Sequence, residues 1–274
     1  MKCAPKIFCS RRLAQVQNNF YRSLVPEMLS IRNSVRTIQR QLFCTTAINS
    51  PDLLDLVYGE SSSESKNDNS EIIYGIHPVN AALLAKRRII QTVYYRRDLI
   101  DSNEKIKAIL QDCWAQNIPT KPVARSKINT FIPKDKPHQG LFAKVSRLYS
   151  TPLFCTTEHI QSLIKEKPSV WLMLYEIQDP MNFGAILRTA YFLGCGGIFI
   201  SSQNSCRLTP AVSKASSGAM ELLPVHSVSN LPHFTQVLKE LDWDVVGTGS
   251  SGEIPESLPI SSFQLEKSCL LLLG

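Results

Sequence analysis

Two side chains suited to binding an anion stand six residues apart in the segment 178–190, which reads QDPMNFGAILRTA. Arg188 carries a planar guanidinium with several N–H donors, and Asn182 carries an amide that both donates and accepts hydrogen bonds. Such groups can hold a phosphate or stabilise negative charge that develops on an oxygen atom. The residue types alone fit equally well with an ordinary strand–loop–helix connection that carries one solvated arginine.

This segment lies where a continuous apolar strand, predicted over residues 170–177, gives way to a helix over residues 184–193. Asp179 and Pro180 are expected to end the strand. Gly184 and the alanine that follows it allow the backbone to run close to whatever lies opposite.

The pattern also predicts which face of that helix is buried. Ile186, Ala190 and Leu193 are spaced to form one apolar stripe, and Arg188 falls outside it. Further strands are predicted over 197–201, 222–228, 243–247 and 269–273, and further helices over 210–217 and 231–241. Apolar strands that alternate with helices favour a parallel sheet covered on both faces, with ligands bound beyond the carboxyl ends of its strands.

A smaller α/β domain is predicted upstream, over residues 72–148. Strands are expected at 72–74, 91–95 and 142–145, and helices from Pro78 to Lys86 and over 103–116. In the second helix the expected buried stripe consists of Ile106, Ile109, Leu110 and Cys113.

The small domain is strongly basic. Residues 72–150 hold 14 basic and 5 acidic side chains, whereas the whole chain carries a net charge of +7. Such an excess favours contact with nucleic-acid phosphates, with Tyr94 and Tyr95 available for base stacking, although any single residue can belong to a merely solvated face. The basic side chains predicted to make such contacts are Arg87, Arg88, Arg96, Arg97 and Lys144. His138 is a further candidate for contact with nucleic acid, and in isolation its residue type fits a structural role as well.

The first 50 residues have the composition of an organelle import segment. They hold eight Lys or Arg side chains, one acidic residue and scattered apolar residues. The alternative is a basic disordered arm that binds nucleic acid. A flexible linker is predicted over residues 51–71, on the polar, low-complexity stretch at 59–70.

The eight cysteines include no C-x-x-C pair, and no histidine stands at metal-ligand spacing from them. No metal site is therefore predicted. The glycine pattern GTGSSG at 247–252 matches G-x-G-x-x-G, but the residues that follow develop no helical period. A dinucleotide site needs that helix, so this interpretation is rejected.

The segment from Asp179 to Ala190 resembles the motif D-P-x-N-x-G-A-I-x-R-T-A of the SpoU-type methyltransferases and matches every fixed position. Three other segments agree with that family: YGIHPVNA at 74–81, HQGLFA at 138–143 and SKASSGA at 213–219. The resemblance covers residues 72–274. It implies a small L30e-like substrate-binding domain over 72–148, a connector over 149–169, and a SPOUT (α/β knot) parallel-sheet catalytic domain over 170–274.

The resemblance also implies an activity. Enzymes of this kind transfer the methyl group of S-adenosyl-L-methionine to a ribose 2′-hydroxyl of RNA. Among these enzymes, the resemblance is closest to those that methylate a guanosine of mitochondrial large-subunit rRNA. It implies that the protein acts in the mitochondrial matrix and that it forms homodimers. It assigns catalysis to Arg188, with Asn182 fixing the loop, and cofactor contacts to Thr248, Gly249 and Gly274. Because a guanidinium stays protonated, Arg188 is expected to act as a donor rather than as a base.

The family's second motif begins with an apolar strand and a glycine, which residues 268–274 supply, and its third motif is not in the sequence. The catalytic domain is therefore expected to be incomplete at its C-terminus, with little or no activity. The alternative function is that of a non-catalytic variant that binds RNA or a partner. Binding of the methyl donor distinguishes the two.

Overall fold

The computed structural model describes residues 69–100, 102–133, 136–164, 169–248 and 264–274. The basic segment 1–50, nearly all of the linker predicted at 51–71, and Gly249 lie outside the described residues. The described strands form two sheets that belong to one compact unit. None of the described helices is long and apolar enough to cross a membrane.

The first sheet has four strands in the order β1-β4-β2-β3. They are β1 (Ser70–Tyr74), β2 (Ile90–Arg96), β3 (Thr120–Val123) and β4 (Leu141–Ser146). The β2–β3 pair is parallel, and β4 pairs antiparallel with both β1 and β2. Strand β3 escapes sequence prediction because it is short and contains Pro122, which is tolerated because β3 lies at the edge of the sheet.

Two helices, α1 (Ile76–Ala85) and α2 (Glu104–Ala115), pack on this sheet, and short 3-10 turns span Arg97–Leu99 and Arg125–Thr130. The predicted stripe of α2 is confirmed, since all four of its residues are buried. Helix α2 begins where it does because the Asn103 side chain accepts hydrogen bonds from the backbone N–H groups of Lys105 and Ile106.

The second sheet has six strands, all parallel, in the order β5-β8-β7-β6-β10-β9. They are β5 (Thr151–Pro152), β6 (Val170–Leu174), β7 (Gly197–Ser201), β8 (Val225–Val228), β9 (Asp244–Gly247) and β10 (Cys269–Leu273). Side chains of β6 alternate between two separate apolar clusters: Leu172 and Leu174 in one, Trp171 and Met173 in the other. The prediction of a parallel sheet covered on both faces is thus confirmed.

The helices of this region are α3 (Thr157–Leu163), α4 (Pro180–Leu193), α5 (Pro210–Ala215), α6 (Ala219–Leu222) and α7 (Leu231–Glu240). The prediction that Asp179 and Pro180 end the preceding strand is wrong, because β6 ends at Leu174. Pro180 is instead the first residue of α4, where its missing N–H costs no hydrogen bond, and Asp179 caps the helix.

The predicted buried stripe of α4 is also wrong in part. Phe183, Leu187 and Ala190 are buried, whereas Ile186 is only partly buried and Leu193 is 70% exposed. The stripe keeps the i, i+4, i+7 spacing but starts three residues earlier, because the face of α4 that packs into the apolar cluster with Leu172 and Leu174 carries these three residues. Likewise, Leu222 belongs to α6 and not to the strand predicted to begin there.

Candidate active site

The carboxyl edge of the large sheet brings together two of the residues assigned to the cofactor. Thr248 follows β9 and Gly274 follows the neighbouring strand β10. The backbone N and the Oγ1 of Thr248 each donate to the carbonyl oxygen of Leu272 at 3.1 Å. The N–H of Tyr175, at the end of β6, donates to the carbonyl oxygen of Leu273 at 2.8 Å. The ends of β6, β10 and β9 therefore form one continuous edge.

The order of the strands marks this edge as a ligand site. From β6 the chain runs through β7 to β8 on one side, and then returns to place β9 and β10 on the other side. Ligands of open parallel sheets bind at such a reversal of strand order. Gly247 borders open space, since no atom of the described residues lies within 4 Å of the point that a Cβ atom would occupy there, and Tyr175 is 42% exposed. Open space beside backbone polar groups and an aromatic ring can hold a planar heterocycle.

Helix α4 follows β6 and carries both residues assigned to catalysis. The Oδ2 of Asp179 accepts a hydrogen bond from the backbone N–H of Asn182 at 2.8 Å, and both Asn182 and Arg188 are exposed. At about 100° per residue, a spacing of six residues puts these two side chains on faces of the helix about 120° apart. Within one chain Asn182 therefore lies on a different face of the helix from Arg188, and its catalytic role stays a prediction.

Arg188 lies at an open cavity of about 460 Å³ between the second half of α4 and the segment 216–222. Helix α4 contributes Thr189, Tyr191, Phe192 and Leu193, and the other wall consists of Ser216, Ser217, Ala219 and Leu222. The guanidinium of Arg188 is exposed and presents its planar set of N–H donors to a group that enters this cavity. The cavity can thus hold a negatively charged or ribose-like group against Arg188.

The second wall of this cavity is held closely against α4. A Cβ atom at Gly184 would lie 2.5 Å from the Cβ of Ala215 and 3.0 Å from the backbone N of Ser216. Helix α5 therefore approaches α4 at a distance that only glycine permits. The hydroxyl of Ser216 donates to the carbonyl oxygen of Ser213 at 3.1 Å and accepts from the N–H of Met220 at 3.2 Å.

Two of the basic residues assigned to RNA direct their guanidinium groups into the protein, with Arg88 buried and Arg87 half-buried. The Arg88 side chain is 0% exposed and pairs with Glu71 at 2.6 Å and with Glu221 at 2.9 Å. Arg87 donates from Nη1 to the carbonyl oxygens of Met220 at 3.1 Å and of Leu223 at 2.5 Å, and burial lowers its pKa. The predicted RNA contacts of Arg87 and Arg88 are thus corrected, because both guanidinium groups bind other parts of the same chain.

The other residues predicted to contact RNA lie at or near the surface of the small sheet. Arg97 is exposed, Lys144 is half-buried, and Arg96 hydrogen-bonds to Asp98. The Nδ1 atom of His138 accepts a hydrogen bond from the N–H of Gly140 at 2.9 Å. Burial, followed by the positive charges of Arg96 and Lys214, lowers the pKa of His138, which favours a neutral imidazole.

Lys214 was not singled out by the sequence, although it belongs to the matched segment SKASSGA. Its Nζ lies 3.4 Å from the Oε1 of Gln139 and 6.0 Å from the centre of the Tyr74 ring. Burial lowers the pKa of this ammonium group. Lys214 thus brings a positive charge from the large-sheet region to the HQG loop of the small sheet, and only the three-dimensional contact reveals this.

Groups of three or more His, Cys, Asp or Glu that could hold a metal ion are not found among the described residues. The five cysteines there are free thiols, and burial raises the pKa of each, for Cys113 to about 11. These thiols are therefore poor nucleophiles and poor metal ligands.

Residues 169–274 match the family model described as SpoU rRNA Methylase family, and residues 72–150 match that of RNA 2′-O ribose methyltransferase substrate binding. The Homo sapiens protein named rRNA methyltransferase 1, mitochondrial, is 37% identical over 211 residues, which cover 74% of this chain. The chain spans 59% of that relative's length.

A second relative, 23S rRNA (guanosine-2′-O-)-methyltransferase RlmB of Neisseria meningitidis, is 31% identical over 68% of this chain and 71% of its own length. The crystal structure of the SpoU methyltransferase AviRb from Streptomyces viridochromogenes, in complex with AdoMet, shares the fold. It superposes with a TM-score of 0.57 at 17% identity and covers 75% of this chain and 73% of that one. By its motif, its two family matches and these relatives, the chain belongs to the SpoU rRNA methylase family.

Proposed function

We propose that the protein transfers the methyl group of S-adenosyl-L-methionine to the ribose 2′-hydroxyl of a guanosine in mitochondrial large-subunit rRNA. The observation that carries this proposal is the exposed guanidinium of Arg188 at a cavity of about 460 Å³, on the helix that holds the family motif. A cavity of roughly 300–1,000 Å³ suits a small molecule or a single nucleotide.

A ribose hydroxyl is a weak nucleophile, so a catalyst must fix its position and stabilise the charge that develops on its oxygen. Arg188 supplies a planar fork of donors that can bind the neighbouring phosphate or that oxygen.

The carboxyl edge of the large sheet fits S-adenosyl-L-methionine. It combines open space beside Gly247, backbone polar groups at Thr248 and Gly274, and the partly exposed Tyr175. Thr248 and Gly274 would hold the cofactor there, and Gly249, outside the described residues, is a further candidate. When bound, the cofactor supplies an electrophilic methyl group on a sulfonium.

RNA would bind across the small sheet and its boundary with the large one. Arg96, Arg97 and Lys144 supply positive charge on the small sheet, and Lys214 supplies it beside His138. Because the pKa of His138 is lowered, its imidazole would act as a neutral hydrogen-bonding group rather than as a cation.

We also propose that two copies associate through the end of α4. Phe192 and Leu193 are each 70% exposed there and Tyr191 is 47% exposed, which makes an apolar cluster beside the Arg188 cavity. Phe192→Asp should therefore shift the protein toward monomers in sedimentation velocity. Leu84→Asp is the matched control, since Leu84 is 65% exposed on α1 but lies outside this cluster. Equal behaviour of the two variants would contradict the proposal.

Action on mitochondrial rRNA requires import into the matrix. The composition of residues 1–50 and the name of the human relative support that location. Residues 1–50 fused to a fluorescent protein should direct it to the matrix, and a fusion in which their eight basic residues are glutamine should not. A diffuse signal from the first fusion would contradict matrix import.

The test of the proposed function is calorimetric titration with S-adenosyl-L-methionine, followed by transfer of labelled methyl groups to mitochondrial large-subunit rRNA. Micromolar binding with 2′-O-methylguanosine in the digested RNA is the expected result, and it would overturn the low activity expected from the absence of the family's third motif. Salt-sensitive RNA binding without donor binding would overturn it in favour of a non-catalytic RNA-binding protein. Donor binding with methylation only of another nucleoside would overturn the assignment to guanosine.

A further inference from the structure

A buried ionic cluster joins the two sheet regions, and it consists of Arg88, Glu71, Glu221 and Ser213. Arg88 donates from Nη1 to Glu71 at 2.6 Å and to the carbonyl oxygen of Ser146 at 3.2 Å. Its Nη2 donates to Oε1 of Glu221 at 3.1 Å, and its Nε lies 2.9 Å from Oε2 of the same carboxylate. The side chain of Arg88 is 0% exposed and that of Glu221 is 1% exposed.

Burying these charges costs free energy that their mutual attraction offsets only when the geometry is good. An apolar pair of similar volume often stabilises a protein as well or better. The cluster is therefore better explained by the arrangement it enforces than by its contribution to stability. Both carboxylates keep a raised pKa because burial outweighs the nearby guanidinium groups.

From Glu221 the contacts continue to the Arg188 cavity. The hydroxyl of Ser213 donates to Oε1 of Glu221 at 2.6 Å, and the carbonyl oxygen of Ser213 accepts from the hydroxyl of Ser216 at 3.1 Å. Ser216 lines the cavity together with Arg188. Two sets of hydrogen bonds, joined through the side chain and the backbone of Ser213, thus lead from a residue of the small-sheet region to the wall opposite Arg188.

The same wall is also in direct contact with the small-sheet region. Gly218 has a φ of +88°, and a Cβ atom there would lie 2.7 Å from the Cβ of Ala81 and 2.8 Å from the carbonyl oxygen of His77, both in α1. On its other side, the preceding helix α5 packs against Gly184 of α4. The segment 213–222 is therefore enclosed between the helix that carries Arg188 and the region assigned to substrate binding.

We propose that Arg88 is a positioning residue: through Glu221 and Ser213 it holds the segment 213–222 in the shape that forms the Arg188 cavity. Docking of the small-sheet region thereby controls the geometry of the catalytic cavity, although Arg88 touches neither RNA nor cofactor. The catalytic part of this inference depends on the proposed function, whereas its structural part does not.

The test compares Arg88→Met with the parent protein by hydrogen exchange and by steady-state kinetics. We expect exchange of the amides in 213–222 to rise by roughly 10-fold or more while that of β6 and β7 stays unchanged. We expect kcat to fall roughly 10-fold, with KM for RNA changed less than about 2-fold, because the loss lies in positioning rather than in RNA binding. Arg207→Met is the matched control, since Arg207 is exposed, lies outside the small-sheet region and does not line the cavity, so it should change none of these values.

Ser213→Ala provides the second test, because it keeps both buried charges and removes only one hydroxyl. It should raise exchange in the same segment and lower kcat, by a smaller factor than Arg88→Met. If the two residues act in one series, the double variant should be no worse than Arg88→Met alone, and additive losses would overturn the proposal. If Arg88→Met does not fold, the exchange and kcat of Ser213→Ala alone test the proposal.

Unchanged local exchange in either folded variant would overturn the positioning role, whatever happens to kcat. Absence of methyl transfer in the parent protein is a different result: it contradicts the proposed function, while the exchange data still judge the role of Arg88. In Arg88→Lys the amides of 213–222 should exchange more slowly than in Arg88→Met and faster than in the parent. An ammonium group can keep one ion pair but cannot donate to both carboxylates as the planar guanidinium does.

Discussion

Arg88 and Arg188 carry the same guanidinium group in opposite surroundings. Arg88 is buried between two carboxylates, one of which belongs to a residue 133 positions away in the chain, and Arg188 is exposed at a cavity. From the local sequence alone, Arg88 was predicted to lie on a basic surface together with its neighbours. That prediction is wrong because Glu221, the carboxylate that pairs with it, is brought near only by the fold. Arg188 could be identified from the local sequence, because it occupies the arginine position of the family motif. None of the described ion pairs includes Arg188.

Arg188→Ala should lower kcat for methyl transfer by about 100-fold or more, as expected when a donor to a developing charge is lost. RNA affinity should change little, because the surface cations of the small sheet remain. Methyl-transfer kinetics and filter binding measure the two effects separately. Arg207→Ala is the control, an exposed arginine that does not line the cavity. Turnover that survives in Arg188→Ala would contradict the assigned role.

His226 makes the stability of the protein depend on pH. Burial, with smaller effects from His159 and Arg87, lowers its pKa from 6.5 to about 4, and its ring stacks on Phe199 with 5.5 Å between centroids. Between these pH values the unfolded chain binds a proton that the folded protein does not. This contribution to the free energy of unfolding is therefore complete above pH 6.5 and decreases as the pH falls toward 4.

His226→Phe should remove this dependence. Between pH 7 and 5 the parent should lose about 2 kcal/mol of stability more than the variant, as measured by urea unfolding at both pH values. Carboxylates titrate in both proteins and cancel in the difference. His233→Gln, at an exposed position of α7, should keep the pH dependence of the parent. Parallel curves for parent and His226→Phe would show that burial does not suppress protonation of His226.

At the scale of elements, the sequence predicted those whose hydrophobic period is long and unambiguous. Strand β7, strand β10 and the buried stripe of α2 lie where the pattern placed them. Two elements of four residues, β3 and α6, were missed or misread, whereas β9, of the same length, was predicted. So short a segment shows barely one helical turn or two strand repeats, so tertiary contacts decide its conformation.

The contact between α4 and α5 gives an element-scale prediction for Gly184→Ala. Alanine improves helix propensity by about 1 kcal/mol. Its Cβ would, however, lie 2.5 Å from that of Ala215, so one helix must shift. Overpacking of this kind costs about 1–3 kcal/mol. We expect a net loss of stability, together with reduced methyl transfer because α5 and the segment after it move.

Urea unfolding of Gly184→Ala beside Ala185→Gly separates these two effects. Ala185 is on the exposed face of the same helix, so its change to glycine measures helix propensity alone, a loss of about 1 kcal/mol. A gain in stability for Gly184→Ala equal to that loss would mean that α4 and α5 are not packed as closely as described.

At the scale of the whole molecule, the positive charge of the small-sheet region serves two purposes. Part of it is internal, since Arg87 and Arg88 bind the large-sheet region through carbonyl and carboxylate oxygens. The rest remains at the surface, with Arg97 exposed and Lys144 half-buried. The excess of positive charge in this region could be counted from the sequence. The sequence could not show which of these side chains contact the large-sheet region and which face solvent, because that depends on the fold.

That division predicts how RNA binding responds to salt. The logarithm of the association constant should fall linearly with the logarithm of salt concentration, and Arg97→Ala should reduce the slope by about 1, the loss of one phosphate contact. Lys239→Ala, on the exposed face of α7, should leave the slope unchanged. Fluorescence anisotropy with a labelled rRNA fragment at several salt concentrations measures each slope. A flat response of the parent protein, or equal slopes for the parent and Arg97→Ala, would mean that RNA does not bind at the exposed cations of the small sheet.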